Sequence, residues 1–303
     1  MNDSTVLSQS ALTLGGSALQ RSRPGFWRRA GTLARQQPLG VIGLLLVLIV
    51  IVLALFAGVI AHYGPEELSG IPLTGPSSSY WFGTDDFGRD VFSRVIYGGR
   101  ISLLVGFLSA LAGGATGTVI GLISAYEGGW LDLILQRLVD ALMAFPSFIL
   151  ALAVVAGLGT SERNVIIAIS ITMIPINARI ARGSTLALRN AQFVDAAQTI
   201  GSSGRRIMFR HILPNILGPL TVVITASFGW AVVSEAALSF IGLGTPPPAP
   251  SWGNMMSGSS RTYISTAPWM ALFPGIALSM LVFGVNMLGD SLRDILDPRL
   301  RMR

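Results

Sequence analysis

Apolar runs long enough to cross a bilayer dominate this chain and restrict its fold more than any motif does. A spanning helix needs roughly 20 mostly apolar residues. Residues 39–61 form one such run without a single charge. Others follow at about 101–125, 133–156, 165–180, 212–233 and 267–288. The pattern predicts an all-α membrane protein of six spans. The fourth run is short and carries Pro175 and Asn177, so it is the least regular of the set. The first exceeds the roughly 7–15 residues of a signal-peptide core, and no A-x-A site follows it, so it is expected to stay as an anchor. In the second run Gly113, Gly117 and Gly121 recur at four-residue spacing, which lets a neighbouring helix backbone approach closely.

Composition excludes several chemistries. Only 12% of the 303 residues are charged, against about 25% in ordinary soluble domains. There is no Cys, hence no disulfide, thiolate metal site or cysteine nucleophile. His62 and His211 are the only histidines, too few for a three-histidine zinc site. All 21 basic residues are Arg. Without Lys there is no GxxxxGK[ST] phosphate loop and no Schiff-base chemistry, so any ATP used must be hydrolysed by another chain. No GxSxG, HExxH or post-strand GxGxxG pattern competes. The net charge of +6 does not point to nucleic acid, because the arginines lie between apolar runs and form no basic stripe interleaved with aromatics. Their sidedness is informative instead. With both termini placed inside, 16 of the 21 arginines fall on the cytoplasmic side and five outside, as the positive-inside rule requires.

These features divide the chain into a cytoplasmic tail (1–37), a first span with an external linker (38–80) and a five-helix core (81–303). The core carries a cytoplasmic loop at about 181–211 and an external loop at about 236–266. Within the cytoplasmic loop Phe193, Ala196, Ala197 and Ile200 fall at i, i+3, i+4 and i+7, an apolar stripe on a short helix. Gly201 then permits a turn. A second short helix is expected from Ser203, ending near Leu213, with Pro214 at the start of the fifth span, where no N–H is needed. Such a pair suits docking into a groove on another protein or lying against the membrane surface, and the residues alone do not choose.

Among polar residues, Asp85, Asp86 and Asp90 share a segment with Arg89 and Arg94. Three carboxylates could bind a hard cation, but local Arg–Asp pairing is the expected arrangement, with Asp86 and Gly88 in a turn or helix entry. Asp140 has Arg137 one turn away as a natural partner. Glu235, at the outer end of the fifth span, is a functional candidate by its membrane depth, although a structural role is preferred. Pro246, Pro247, Pro248 and Pro250 predict an extended, stiff external segment, in which Trp252 and Tyr263 serve as contact groups or as interfacial anchors.

Asp195-Ala196-Ala197, three residues, Gly201, nine residues and His211-Ile212-Leu213-Pro214 resemble the EAA loop of ABC-importer permeases, with Asp in place of Glu and His in place of Ile. Further segments resemble the C-type subunit of the dipeptide/oligopeptide family. They are Phe82 to Asp90 with Ser93-Arg94, Gly99 to Leu103, Phe209 to Asn215, Glu235 to Gly244 with Pro250-Ser251-Trp252-Gly253, and Asn286 to Asp290 with Leu296 to Arg299. The resemblance covers roughly residues 25–303. It implies a type I ABC-importer permease fold in a bacterial inner membrane, working by alternating access on di- or oligopeptides or similar solutes. It also implies a coupling helix seated in an ATPase subunit, formed by Phe193, Asp195, Ala196, Ala197, Ile200, Gly201, Arg205, Arg206, His211, Leu213 and Pro214. The implied partners are a second homologous permease, two ATPase subunits and an external substrate-binding protein. Glu235, Pro247, Pro248 and Trp252 are the expected contacts to that binding protein or to an outer gate. ATP and Mg would sit on the ATPase subunits and no cofactor on this chain. The rival is a stand-alone secondary transporter or channel; the position of the acids near helix ends counts against it.

Overall fold

The computed structural model describes residues 37–296, and the tail before them and the last residues, Pro298 and Arg299 among them, lie outside that range. Among the described residues the architecture is helical, with only two isolated β-bridges, Leu68 to Arg89 and Thr84 to Asp90. The helices are α1 (Pro38–Leu55), α2 (Ala57–Ile60), α3 (Val91–Glu127), α4 (Gly129–Met143), α5 (Ser147–Leu158), α6 (Glu162–Leu188) and α7 (Gln192–Thr199). They continue with α8 (Gly204–Phe240), α9 (Trp252–Met255), α10 (Ser259–Thr262) and α11 (Trp269–Leu296).

Helices α1, α3, α6, α8 and α11 are each long and apolar enough to cross a membrane. The expected third span is different. It is the pair α4 and α5, bent by 91° across Ala144-Phe145-Pro146, where the proline N–H is missing and its ring disfavours helical geometry at the residue before it. The fourth span is longer than expected: α6 passes through Pro175 and continues to Leu188. Asn177 is buried and its side-chain amide donates to the Met173 carbonyl at 2.9 Å.

The centre of the fold is the seam between α3 and α6. A Cβ added to Gly113 would lie 2.6 Å from the Ser170 carbonyl oxygen, and one added to Gly117 would lie 2.6 Å from that of Ile174. No side chain fits there, so the glycine stripe is the contact surface itself. Val105 and Ala110 of α3, Ala151 and Val155 of α5, Ile169 of α6 and Leu238 of α8 close the core on one side. On the other, Val47 and Val50 of α1 meet Val232 of α8 and Leu281 and Val285 of α11.

Entry into α3 is built by carboxylates. Asp90 is its N-cap, accepting from the Ser93 backbone N–H at 2.9 Å and from the Ser93 hydroxyl at 2.6 Å, the usual remedy for unsatisfied first-turn donors. Asp86 and Gly88 lie in the turn just before α3, where the Gly88 N–H donates to the Asp85 carbonyl at 3.1 Å, and the helix entry itself belongs to Asp90. Asp85 accepts from the N–H groups of Phe87 and Arg89, both at 2.9 Å. It also pairs with Arg89 at 2.6 Å and Arg94 at 3.5 Å, which is the Arg–Asp pairing read from sequence.

Candidate functional site

Helix α7 is amphipathic in a way that the spacing only half revealed. Val194 and Ala197 are buried and join Leu122 of α3, Ala181 of α6 and Ile207 and Ile212 of α8 in one cluster. Phe193 is 39% exposed and Ile200 82% exposed, with Ala196 and Asp195 also on the outer face. The expected four-residue stripe is therefore divided. Ala197 faces the protein's own core, while Phe193, Ala196 and Ile200, at i, i+3 and i+7, stand outward. Val194, overlooked in the spacing, is the anchor. Two apolar faces over the nine residues from Gln192 to Ile200 leave the helix clamped from within and available from without.

The C-terminus of α7 is closed by glycine. Gly201 has φ +77°; its N–H donates to the Gln198 carbonyl at 2.9 Å and the Ser202 N–H to that of Ala197 at 3.0 Å. This is the Schellman arrangement, with glycine where a left-handed residue is required. The chain then enters α8 directly. The expected second short helix and the fifth span are one continuous helix, Gly204–Phe240, and there is no break at Leu213. Its early turns are wound as a π-helix over Ile207–Ile212. Widened turns leave carbonyls without their usual partners one helical step ahead, and Pro214, which has no N–H to give, sits just beyond. Ile207, Met208 and Ile212 point into the cluster. Arg205, Arg206, Phe209 and Arg210 are exposed, as is Pro214; His211 and Leu213 are half-buried, and Leu213 packs on the cluster edge. Phe193, Ile200 and Phe209 are thus exposed on the same turn-linked pair of segments as three exposed arginines.

Two ion pairs lie on the α4–α6 contact. Arg182 grips Asp132 with two hydrogen bonds, at 2.8 and 2.7 Å, and Arg179 holds Asp140 at 2.8 Å. The partner expected for Asp140, Arg137, is exposed instead. A local i, i+3 pairing is weak and easily lost to a guanidinium from a packed neighbour. Asp140 was singled out in the sequence; Asp132 and the α6 arginines that hold both carboxylates were not, since nothing local relates them.

At the opposite end from α7, the external loop departs from expectation. It is no extended strand: α9 and α10 fold it back, with a cis Pro247–Pro248 bond. Pro246, Pro247 and Pro248 are exposed. Trp252 is only 2% exposed, and its indole N–H donates to the Val95 carbonyl at 2.9 Å. Glu235 is wholly buried, accepting from the hydroxyls of Ser102 at 2.8 Å and Ser239 at 2.7 Å. Neither Trp252 nor Glu235 is a surface contact; both tie the loop and α3 to α8. Pro247 and Pro248 border a cleft of about 570 Å³ that also takes in Asp86, Arg89 and Ser259.

Comparison with known proteins follows the same lines. The family described as binding-protein-dependent transport system inner membrane component matches residues 117–302. The N-terminal TM domain of oligopeptide transport permease C matches residues 25–74. The dipeptide transport system permease protein DppC of Alkalihalophilus pseudofirmus is 45% identical over 276 residues, covering 91% of this chain and 90% of that protein. The glutathione transport system permease protein GsiD of Shigella flexneri is 46% identical over 278 residues, with 91% and 90% covered. Among solved structures, an inward-facing form of the MetNI methionine ABC transporter superposes with a TM-score of 0.55 at 18% identity, over 67% of this chain and 96% of the other, which shows a shared fold. The chain belongs to the binding-protein-dependent transport system inner membrane components, the permease subunits of ABC importers.

Proposed function

We propose that this permease forms half of the translocation pathway for short peptides, beside a second, related permease. One of two ATPase subunits docks on α7 and the first turns of α8, the other on the second permease, and an extracytoplasmic binding protein delivers the solute on the opposite face, where Pro247 and Pro248 are exposed. Dipeptide and glutathione, in the names of the similar permeases, are both short peptides. ATP and Mg belong to the ATPase subunits. The chain lies in the inner membrane with both termini cytoplasmic, the orientation that the arginine distribution favours.

The observation that carries this reading is the double-faced α7. An exposed Ile200 and Phe193 at a water-facing helix would be a liability in isolation, and they suit a groove on a soluble partner that receives a short apolar helix. Because Val194 and Ala197 fix the other face to α3, α6 and α8, displacement of α7 moves those helices with it. Closure of the ATPases then alternates access to the pathway.

The test is Phe193→Asp with Ile200→Asp in the complete complex, reconstituted in proteoliposomes. Loss of ATPase co-purification and of ATP-driven uptake, with membrane insertion unchanged, is the expected result. Normal uptake would remove α7 as the docking element. Uptake by this chain alone, without ATP or partners, would overturn the importer reading altogether.

A further inference from the structure

Helix α4 is held to the fold in an unusual manner. Of its residues only Val139 is buried, although Leu131, Leu133, Ile134 and Leu138 are all apolar and exposed. Apolar packing within this chain therefore contributes little to its position. Polar contacts hold it instead. Asp132 receives two hydrogen bonds from Arg182 of α6 and one from the Ser124 hydroxyl of α3. Gln136 donates to that same hydroxyl at 2.9 Å. Two turns further along α4, Asp140 is paired with Arg179.

We propose that Asp132 and Arg182 are positioning residues that convey movement of the coupling helix to α4, so that they set how much transport follows each ATP. The inference rests on α7 being the ATPase seat. Its geometry has three parts. First, α6 and α7 move together, because Ala181 and Leu188 of α6 share one apolar cluster with Val194 and Ala197 of α7. Arg189, immediately after α6, donates to the Ala125 carbonyl of α3 at 3.1 Å and stiffens the same junction.

Second, the two ion pairs fix α4 against α6 at two heights. Asp132 and Asp140 are eight residues apart, about 12 Å along a helix, while their partners run in the opposite order on α6. One pair would act as a pivot; two resist both sliding and rotation. The guanidinium fork of Arg182 on both oxygens of Asp132 adds directional stiffness that apolar contact lacks. The Asp132 pair is the better shielded, with side chains 21% and 34% exposed, against 47% and 50% for Asp140 and Arg179. It is accordingly the stronger of the two.

Third, α4 can respond. It meets α5 at the 91° bend, and α5 is packed by Ala151 and Val155 into the central core. A pull on α4 is therefore taken up at Ala144-Phe145-Pro146 while α5 stays in place. Carboxylate and guanidinium at the α4–α6 contact connect the ATPase face to that bend.

The experiment uses the whole complex in proteoliposomes and reads solute imported per ATP hydrolysed. That ratio is indifferent to how much complex assembles, which is what a merely structural role would change. Asp132→Asn and Arg182→Gln should each keep ATP hydrolysis and lower the ratio about tenfold, within the usual range of coupling between distant sites. The double variant should fall no further, because both substitutions remove one shared interaction. A ratio within about twofold of wild type in either single variant, or losses that multiply in the double, would overturn the proposal. So would a drop confined to the yield of complex. The Phe193→Asp, Ile200→Asp variant separates the two ideas. If it transports normally, the docking reading fails; if it abolishes uptake while Asp132→Asn leaves the ratio intact, only the α4 connection fails.

Discussion

The Ser102 hydroxyl of α3 donates to the Glu235 carboxylate of α8 at 2.8 Å, and the whole Glu235 side chain is sealed from solvent. With Ser239 donating to the other oxygen at 2.7 Å, the carboxyl group closes the outer end of the α3–α8 contact. Buried polar groups of this kind stabilise only while every partner is present.

Glu235→Ala leaves two buried hydroxyls without acceptors and should cost about 1–3 kcal/mol. Glu235→Gln keeps an acceptor and should stay much closer to wild type in a thermal-unfolding assay in detergent. A Gln variant as unstable as the Ala one would show that the site needs a negative charge and not merely accepted hydrogen bonds.

Trp252 combines burial with one indole hydrogen bond to Val95. Trp252→Phe should lose about 1 kcal/mol, the worth of that bond. Trp252→Ala should lose about 3–5 kcal/mol through the cavity it opens. The unfolding midpoints of the two purified variants order these effects. Equal midpoints for Trp252→Ala and wild type would mean that the α9 segment does not contribute to stability.

Gly117 has the Ile174 carbonyl oxygen and the Asn177 Cβ within 2.7 Å of the position its own Cβ would take. Gly117→Leu therefore forces α3 and α6 apart and should cost about 3 kcal/mol or more, at the upper end for overpacked cores. Yield of folded, monodisperse protein checks it, and a normal yield would contradict the close seam.

Gly201 is different, because nothing lies within 4 Å of an added Cβ and its requirement is the φ of +77° alone. Gly201→Val should cost about 1–2 kcal/mol locally and disturb the end of α7, reducing ATP-driven uptake without affecting insertion. Gly201→Asn should retain more activity, since Asn tolerates the left-handed region. Full uptake by the Val variant would show that this turn does not serve coupling.

Much of the site was legible in the residues. The positions of the spans, the glycine seam and the turn at Gly201 all follow from properties of short stretches. The interrupted third span was not legible as such. Pro146 marks a break, but 91° is the outcome of how α4 and α5 settle on different neighbours. The apolar stripe of α7 was read with the right period, but one of its members, Ala197, belongs to the inner face. Ala196 and Ala197 are alike in sequence, and which of them turns inward depends on where α3, α6 and α8 stand: Ala197 is buried with Val194, while Ala196 is exposed. Trp252 was read as a contact group or interfacial anchor because tryptophan favours interfaces, and the folded-back loop buries it; Glu235, for which a structural role was preferred over an outer contact, accepts from two serine hydroxyls.

The apolar runs of spanning length, the uneven distribution of arginine between them and the absence of lysine belong to the linear chain, because bilayer thickness and charge-transfer cost act on each segment separately. Pairing belongs to the fold. Ser102 and Glu235 are 133 residues apart, and Arg179 and Asp140 are 39 apart. Such contacts are set by helix rotation and by how closely two backbones approach. The face that α7 offers to a partner is therefore decided by what its opposite face has buried.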